Sequence, residues 1–345
     1  MPIHMERIMN GDYIPLISLK DFASQGLQEK IAISKKINVG LKNSGFFICA
    51  DHGVSSESIE QLQETAYGFF DLPLSEKMKS ESRVSGSPRG YIPYGVETLS
   101  ATDGRLAPPD IKEGYGIGPY WVDELQASSV AGNGPSTYTK NTWPPRPENF
   151  KAVVLRYYQD MEELTAKLME LFALGMNLEP SFFVEKFKRH NSTLRLLHYP
   201  AQEKPPAPGQ LRAGEHTDYG ALTILLPQAG QGGLQVVKPN GRWEEVSAPA
   251  GAFVINIGDL MMTWSNDQWV SNRHRVVNPP PEAGAAARRL SIAYFCNPED
   301  SLMIECIPTC CSELAPAKYS PIQAGLYRAK KIQLSQLRSH ETAGT

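Results

Sequence analysis

The sequence predicts a mainly β core with flanking helices, and three observations support this fold class. Seven short apolar or alternating runs follow one another between residues 193 and 295, separated by Gly, Pro and Asn. Short strands joined by turns in this way are typical of an antiparallel sandwich or barrel. An apolar stripe with steps of four and three residues predicts one long helix over residues 150–174, and residues 318–338 return to a helical pattern.

The N-terminal part of the chain predicts alternating strands and helices. The run IPLISL (14–19) is the first predicted strand, and residues 27–44 carry apolar side chains at helical spacing. The run GFFICADHGV (45–54) predicts a buried strand that leads into a turn. Two short helices are expected at 56–70 and 75–82.

Residues 83–147 are rich in Gly, Pro and Ser and show little periodicity. We therefore expect long loops that form a wall or a lid of a site. The Gly-rich stretches at 114–118 and 229–233 do not open a helix after a strand, as a dinucleotide-binding loop must, and we expect turns there.

These patterns divide the chain into four parts. Residues 1–147 form an N-terminal region with long loops, and residues 148–180 form a long supporting helix. Residues 190–300 form the β core, which carries the candidate catalytic residues, and residues 301–345 form a C-terminal helical segment.

The composition is that of an ordinary globular protein. Of the 345 residues, 41% are hydrophobic and 21% are charged, and the net charge is −3, which argues against nucleic acid and membrane surfaces as partners. No apolar run approaches the ~20 residues of a membrane helix, and the start of the chain lacks a secretory pattern. The 5 cysteines are irregularly spaced, which predicts free thiols in a reducing, cytoplasmic location. We expect a monomer.

The stretch GEHTDYGALTILL (214–226) places His216 and Asp218 two positions apart at the head of an apolar run. In an extended segment these side chains point the same way, so they can converge on one point. His274 begins another predicted strand, and it would complete two imidazoles and one carboxylate on one face of a metal. This set is typical of non-haem Fe(II) oxygenases and leaves three coordination positions open. For His198, in the same region, we expect a hydrogen-bonded core residue.

Arg289 and Ser291 share one face of a further predicted strand, RLSIAYF. An Arg that points into an apolar barrel is costly unless it meets an anion. The guanidinium can bind a carboxylate through two parallel hydrogen bonds, and the Ser hydroxyl adds a third. The pair predicts a receptor for a carboxylated small molecule beside the metal.

Several motifs, taken in order, resemble the isopenicillin N synthase-like family of Fe(II)- and 2-oxoglutarate-dependent dioxygenases over nearly the whole chain. The stretches YIPLISL, GFFICADHGV and FFDLPLSEKMK are similar to the N-terminal region of that family. The stretches GEHTDYGALTILL, GGLQVV, INIGDLMMTWSNDQWVSNRHRVVNP and RLSIAYF are similar to its catalytic core. The stretch YSPIQAGLY is similar to its C-terminal helix.

The resemblance implies that the core at 190–300 is a double-stranded β-helix, or jelly roll. It implies three iron ligands, namely His216, Asp218 and His274. It also implies three residues that hold the distal carboxylate of 2-oxoglutarate, namely Arg289, Ser291 and Tyr199.

The sequence departs from the family pattern at two places. Many members carry Asn where this chain has Leu197, so one polar contact to the co-substrate is missing or replaced. The loop at 279–288 is several residues longer than usual, and we expect it to bulge outward. Because of this length, the register leaves open whether Arg289 or Arg288 faces the site.

The resemblance implies an enzyme that uses Fe(II), 2-oxoglutarate and O2 to oxidise an unactivated C–H bond of a small-molecule metabolite, as in secondary metabolism. Succinate and CO2 would be released, and the outcome would be hydroxylation, desaturation or ring closure. We expect the substrate pocket to be lined by loops at 83–120 and by Phe295 and Asn297.

Two alternative functions remain. An iron-dependent oxidase of the same fold, like isopenicillin N synthase, keeps the Arg-x-Ser pair for its own substrate and uses no 2-oxoglutarate. A non-catalytic jelly-roll binding module would be expected to lose a metal ligand, whereas all three are present here. Iron analysis separates the binding module from both enzymes, and succinate formation separates the two enzymes.

Overall fold

The computed structural model describes residues 13–82, 87–124, 138–202 and 205–336. Its α-helices are α1 (Leu27–Asn43), α2 (Ser56–Phe70), α3 (Leu74–Lys77), α4 (Phe150–Gly175), α5 (Asp259–Trp264) and α6 (Ala324–Gln336). The long helix therefore forms where the sequence predicts it, whereas the C-terminal helix begins only at Ala324, after the short strand Ile322–Gln323, and not at residue 318. None of the helices in the described ranges combines the length and the apolar character needed to cross a membrane.

The strands lie mostly in the second half of the chain. They are β1 (Leu16–Ser18), β2 (Phe46–Ala50), β3 (Gly90–Ile92), β4 (Glu113–Ile117), β5 (Thr193–Tyr199), β6 (Ala213–His216), β7 (Leu222–Leu226), β8 (Leu234–Val237), β9 (Trp243–Glu245), β10 (Phe253–Ile257), β11 (His274–Val276), β12 (Arg289–Cys296), β13 (Met303–Ile304) and β14 (Ile322–Gln323). All seven runs predicted after residue 190 are strands. The short strand β6 was not predicted.

Two sheets form the core. The main sheet has the order β1-β2-β10-β7-β12-β5-β4-β3, and the small sheet has the order β6-β11-β8-β9. The strands β1 and β2 run parallel, whereas the pairs around β12 and β11 are antiparallel. This mainly β core with flanking helices is the fold class that the sequence predicts, and its sheets are those of a jelly roll.

Alternation along β2 shows how the layers pack. Phe46 and Ile48 belong to a buried cluster with Val236 of the small sheet. Phe47 and Cys49 point the other way, into a larger cluster that includes α1 and α4. Because successive side chains of a strand alternate between its faces, one strand joins both cores. Full burial of each such side chain contributes about 1.5–3 kcal/mol, so the main sheet is held between helices and the small sheet.

The turn expected at 114–118 is wrong, because Glu113–Ile117 is the buried strand β4, which pairs with β5. Glycine is required here by close packing, since a Cβ atom on Gly116 would collide with the carbonyl oxygen of Pro88. The glycines also remove the apolar alternation that marks a strand, so the pattern concealed β4. The strand β3 pairs with β4, and the region expected to be loops thus extends the main sheet.

The loop before β12 lies on the surface. Its residues Pro281–Ala287 form short 3-10 turns that kink at Gly284, where φ is 49°. Pro281 and Glu282 are exposed, as expected for a loop that bulges outward. The chain then enters β12 with Arg289 only 1% exposed, so the extra length does not displace Arg289 from the interior.

Candidate metal and anion site

Three side chains with metal-binding atoms meet at the edge of the small sheet. His216 ends β6, His274 begins β11, and the two lie directly opposite each other in the antiparallel pairing. The Oδ1 atom of Asp218 lies 3.8 Å from Nε2 of each histidine. One ligand atom of each residue lies within 4.8 Å of the other two, and all three residues are buried. The fold thus brings together the three residues that the sequence singled out.

Backbone carbonyls determine which nitrogen of each imidazole carries the proton. Nδ1 of His216 donates to the Gly214 carbonyl over 2.7 Å, and Nδ1 of His274 donates to the Asn272 carbonyl over 3.1 Å. Because a carbonyl only accepts, Nδ1 carries the proton in the neutral form of each ring, and in that form the lone pair of Nε2 faces Asp218. Burial, and then the neighbouring His274, lowers the pKa of His216 to about 3. His216 is therefore neutral, as metal ligation requires.

Two side chains orient the carboxylate of Asp218. Thr223 Oγ1 and Asn256 Nδ2 each donate to its Oδ2 atom over 2.6 Å. Burial alone would raise the pKa of Asp218, but the nearby His274 and His216 and these two hydrogen bonds hold it below its ordinary value. Supporting bonds of this kind fix the direction of a metal ligand. The carboxylate is thus charged, with Oδ1 directed at the imidazoles.

The candidate anion-binding residues, Arg289 and Ser291, lie on the face of β12 that lines the same cavity. Arg289 is 1% and Ser291 2% exposed. Arg289 Nε and Nη1 and Ser291 Oγ are buried and have no hydrogen-bond partner among the described residues. In the register of β12 with β5, Tyr199 lies opposite Arg289 and Leu197 lies opposite Ser291. An apolar side chain therefore occupies the position where the family often has Asn.

On the opposite side of the sheet lie Arg288, which directly precedes β12, and His198 of β5. Arg288 Nε donates to Nε2 of His198 over 2.8 Å, and Arg288 Nη2 donates to Asp71 over 2.6 Å. The other nitrogen of His198, Nδ1, donates to Glu113 over 2.7 Å. Both nitrogens of His198 are occupied by protein partners, so the prediction of a hydrogen-bonded core residue is confirmed.

The cavity has a volume of about 1100 Å³, which includes the part that opens to solvent. Phe295 and Asn297 line it, as do the candidate metal and anion residues. The amide of Asn297 is already engaged, because Nδ2 donates to the carbonyls of Asn191 and Phe295 over 3.1 and 3.0 Å. Phe295 thus offers an apolar ring to the cavity, whereas Asn297 also holds the local backbone.

Sequence reasoning missed a group of charged side chains on the cavity wall. Arg195 Nη2 donates to Glu97 over 3.0 Å, and Lys112 forms ion pairs with Glu97 and Asp110. Burial alone would raise the pKa of Glu97, but Arg195 and Lys112 lower it to about 2. A signal existed for Arg195, because it shares the alternation of β5 with Tyr199. The sequence offered no such signal for Glu97, which lies in the Gly- and Pro-rich region.

The C-terminal helix α6 completes the wall. Arg328 and Ile332 line the cavity, and Arg328 pairs with Asp300 over 2.9 Å. The Ser335 carbonyl accepts a hydrogen bond from the backbone of Thr98 over 3.3 Å. The helix itself was predicted from its pattern, but its place at the site depends on packing between distant segments.

Two family models match the chain. The model described as the N-terminal region of the non-haem dioxygenase in morphine synthesis matches residues 14–146. The model of the 2OG-Fe(II) oxygenase superfamily matches residues 190–298. The two matches lie side by side and together span most of the chain.

Individual relatives agree with the family models. The chain is 32% identical over 320 residues to the 2-oxoglutarate-Fe(II) type oxidoreductase hxnY of Emericella nidulans, with 89% of this chain and 86% of that protein covered. It is 29% identical over 300 residues to validamycin A dioxygenase of Streptomyces hygroscopicus subsp. limoneus, with 84% and 79% covered.

Solved structures show the same fold. The chain is similar to a full-length Neurospora crassa protein whose crystal structure holds alpha-KG, with a TM-score of 0.81, 33% identity and 94% and 98% of the two chains covered. A second structure of that Neurospora crassa protein, with alpha-KG and thymine, gives a TM-score of 0.80 at 32% identity over 94% and 98% of the two chains.

Proposed function

The chain belongs to the 2OG-Fe(II) oxygenase superfamily, and on that basis we propose that its iron is held by His216, Asp218 and His274. It is an oxygenase that uses Fe(II), 2-oxoglutarate and O2 and acts on a small molecule. The assignment of the ligands is supported by one observation above all. The Nε2 atoms of both imidazoles face the Asp218 carboxylate, and one ligand atom of each of the three residues lies within 4.8 Å of the other two.

The residues present fit a divalent iron. Asp218 supplies the negative charge, His216 and His274 supply neutral nitrogens, and Thr223 and Asn256 hold the carboxylate in place. Three ligands on one side leave room for the co-substrate on the other. When bound, the iron supplies the oxidising chemistry, while the protein supplies ligand geometry and excludes water.

We propose that Arg289 and Ser291 hold the far carboxylate of 2-oxoglutarate, with the ring of Tyr199 beside them. The support is the set of buried donors that have no partner in the described parts of the chain, namely Arg289 Nε, Arg289 Nη1 and Ser291 Oγ. Burial lowers the pKa of Arg289, and the Tyr199 phenol opposes this shift. A buried cation with unused hydrogen-bond donors is stabilised strongly by a carboxylate.

We propose that the substrate is uncharged where it meets the wall formed by Arg195 and Lys112. Those two cations are balanced by the carboxylates of Glu97 and Asp110, so the wall carries no net charge to recognise an acid. Arg195 Nε is buried with no partner within the ranges that the structure describes, and it can donate to a neutral acceptor such as a carbonyl oxygen. The structure of the Neurospora crassa relative with thymine supports a small polar ring as one such substrate.

A metabolite screen for substrate-dependent succinate release tests this function. Pairs of compounds that differ only by a carboxylate or its amide test the proposed charge. We expect turnover with the uncharged members. A preference for the acids would contradict the proposed wall, and iron binding without succinate release from any substrate would favour the oxidase that uses no 2-oxoglutarate.

The variant Asp218→Ala tests the metal site. We expect tight Fe(II) binding and turnover to be lost together, with an unchanged circular dichroism spectrum, because both ligand charge and geometry are removed. His198→Ala is the control, since both nitrogens of His198 already have protein partners. Normal iron content in Asp218→Ala, or loss of iron in His198→Ala, would refute the assignment of ligands.

We also propose that the protein is a monomer in the reducing cytoplasm. The support for the compartment is that its cysteines are free, namely Cys49, Cys296, Cys306, Cys310 and Cys311. Light scattering after size-exclusion chromatography tests the monomer, and fractionation of cells tests the compartment.

A further inference from the structure

Two buried guanidiniums lie against the same tyrosine ring. The Cζ atom of Arg289 is 5.2 Å from the centroid of the Tyr199 ring, and that of Arg212 is 5.7 Å from it. Arg212, which directly precedes β6, is only 2% exposed. Its Nη2 donates to the Ala287 carbonyl, and its Nε is buried with no hydrogen-bond partner among the described residues. The structure therefore places a second cation close to the proposed carboxylate clamp.

The charge of this second cation is not balanced by the protein. Neither Arg212 nor Arg289 forms an ion pair with a carboxylate of the described residues. Apart from Arg289, the Lys and Arg side chains that line the cavity each have a carboxylate partner: Lys112 pairs with Asp110, Arg195 with Glu97, and Arg328 with Asp300. Burial and the positive charge of Arg289 both lower the pKa of Arg212, so the two like charges act on each other. Two buried charges of one sign are costly until an anion joins them.

We propose that Arg212 is a second cation of the 2-oxoglutarate site, which strengthens binding of the far carboxylate from its position against the Tyr199 ring. This inference rests on the carboxylate clamp proposed for Arg289. Arg212 is a positioning residue, because it acts through its field and through the ring on which it packs. It makes the site selective for 2-oxo acids that carry a second carboxylate.

The variants Arg212→Gln and Arg212→Lys test this role. Gln removes the charge but keeps a donor for the Ala287 carbonyl, whereas Lys keeps the charge. Calorimetric titration of the Mn(II)-loaded protein without O2 should show about tenfold weaker 2-oxoglutarate binding in Arg212→Gln, as expected for a partly shielded charge. Arg212→Lys should restore most of the affinity, and kcat should change by less than about twofold while KM for 2-oxoglutarate rises. The exposed Arg156, changed to Gln, is the control for loss of one positive charge.

A second ligand separates a charge effect from a packing effect. The compound 2-oxopentanoate has the same chain length as 2-oxoglutarate but ends in a methyl group. We expect its affinity to be unchanged in Arg212→Gln. Equal weakening of both ligands, a loss that Lys does not restore, or unchanged 2-oxoglutarate affinity would each overturn the proposal. If 2-oxoglutarate binds weakly to Arg289→Gln but normally to Arg212→Gln, only the proposed role of Arg212 is refuted. Normal binding in Arg289→Gln would refute the clamp itself.

Discussion

The two faces of β12 differ in how their polar atoms are satisfied. On the cavity face, Arg289 and Ser291 keep buried donors without partners among the described residues. On the opposite side of the sheet, Arg288, which directly precedes β12, and His198 of the neighbouring strand β5 are connected through hydrogen bonds to each other and to Glu113 and Asp71. The sheet at β12 and β5 thus carries a completed internal network on one side and an incomplete one on the other. Buried polar groups are normally satisfied, so the unsatisfied donors support our proposal that the cavity side binds a ligand.

The largest effect, a loss of stability, is expected from Glu113→Ala, which disrupts the completed hydrogen-bond network. Glu113 accepts hydrogen bonds from Lys77, Tyr91 and His198. Its removal leaves the ammonium group of Lys77 buried without its partner, so the free energy of unfolding should fall by about 3–5 kcal/mol. Chemical denaturation measures this loss, with the exposed Glu60 changed to Ala as the control. A loss below about 1 kcal/mol would mean that the network contributes little.

The next effect is expected from Arg289→Ala, which removes the main donor of the incomplete face. A bidentate contact to a carboxylate in a shielded pocket is worth about 2–4 kcal/mol once the stranded charge is counted. The affinity for 2-oxoglutarate should therefore fall by roughly 30- to 1,000-fold, with iron binding retained. Arg289→Lys should keep only part of the affinity for 2-oxoglutarate, because Lys lacks the planar guanidinium that makes two parallel hydrogen bonds. Anaerobic titration, followed by the absorption band of the Fe(II)–2-oxoglutarate complex, measures the affinity for 2-oxoglutarate. Unchanged affinity in both variants would contradict the clamp.

A smaller effect is expected from pH, and it depends on His216, another residue of the cavity. Its pKa is lowered to about 3 in the folded protein, whereas an unfolded histidine has a pKa of about 6.5. Between these values the unfolded chain binds the proton more readily, so stability is complete above about pH 6.5 and is lost as the pH falls towards 3. One such group contributes at most about 1.4 kcal/mol per pH unit. Denaturation of the metal-free protein between pH 6.5 and 5 should show a smaller slope in His216→Gln than in the parent; an equal slope would contradict the lowered pKa.

The smallest effect on ligand binding is expected from Arg288→Ala. This side chain lies on the completed face, so 2-oxoglutarate affinity should stay within about twofold of the parent. Loss of its bonds to His198 and Asp71 should cost about 1 kcal/mol of stability, since one partner is largely exposed. Strong loss of 2-oxoglutarate binding in Arg288→Ala but not in Arg289→Ala would mean that the strand is shifted by one residue.

Local pattern was sufficient to predict most of the core strands and the main helices. Alternation and apolar runs are properties of neighbouring residues, so β5, β7 and β12 could be read from the sequence. The strand β4 could not, because Gly116 is required by the close approach of the Pro88 carbonyl, and it and Gly114 leave no side-chain pattern. The short strand β6 was also missed, since its apolar content is too low to stand out.

The same limit applied to the site. The spacing of His216 and Asp218, and of Arg289 and Ser291, follows from strand geometry and was recognised. The residues that support or surround them come from distant segments, as Asn256 supports Asp218 and Glu97 pairs with Arg195. Only the fold brings such residues together, and local sequence pattern does not show which distant residues will be in contact.

The position of β2 has a consequence for how the chain is synthesised. Phe46–Ala50 pairs with β1 on one side and with β10 (Phe253–Ile257) on the other. During synthesis β2 is made long before β10, so one edge of its apolar segment FFIC stays unpaired until β10 has been translated. Unpaired apolar edges of this kind recruit other chains. Chains that stop before β10 should therefore aggregate in the cell, and slowing translation ahead of residue 253 should increase the demand for chaperones.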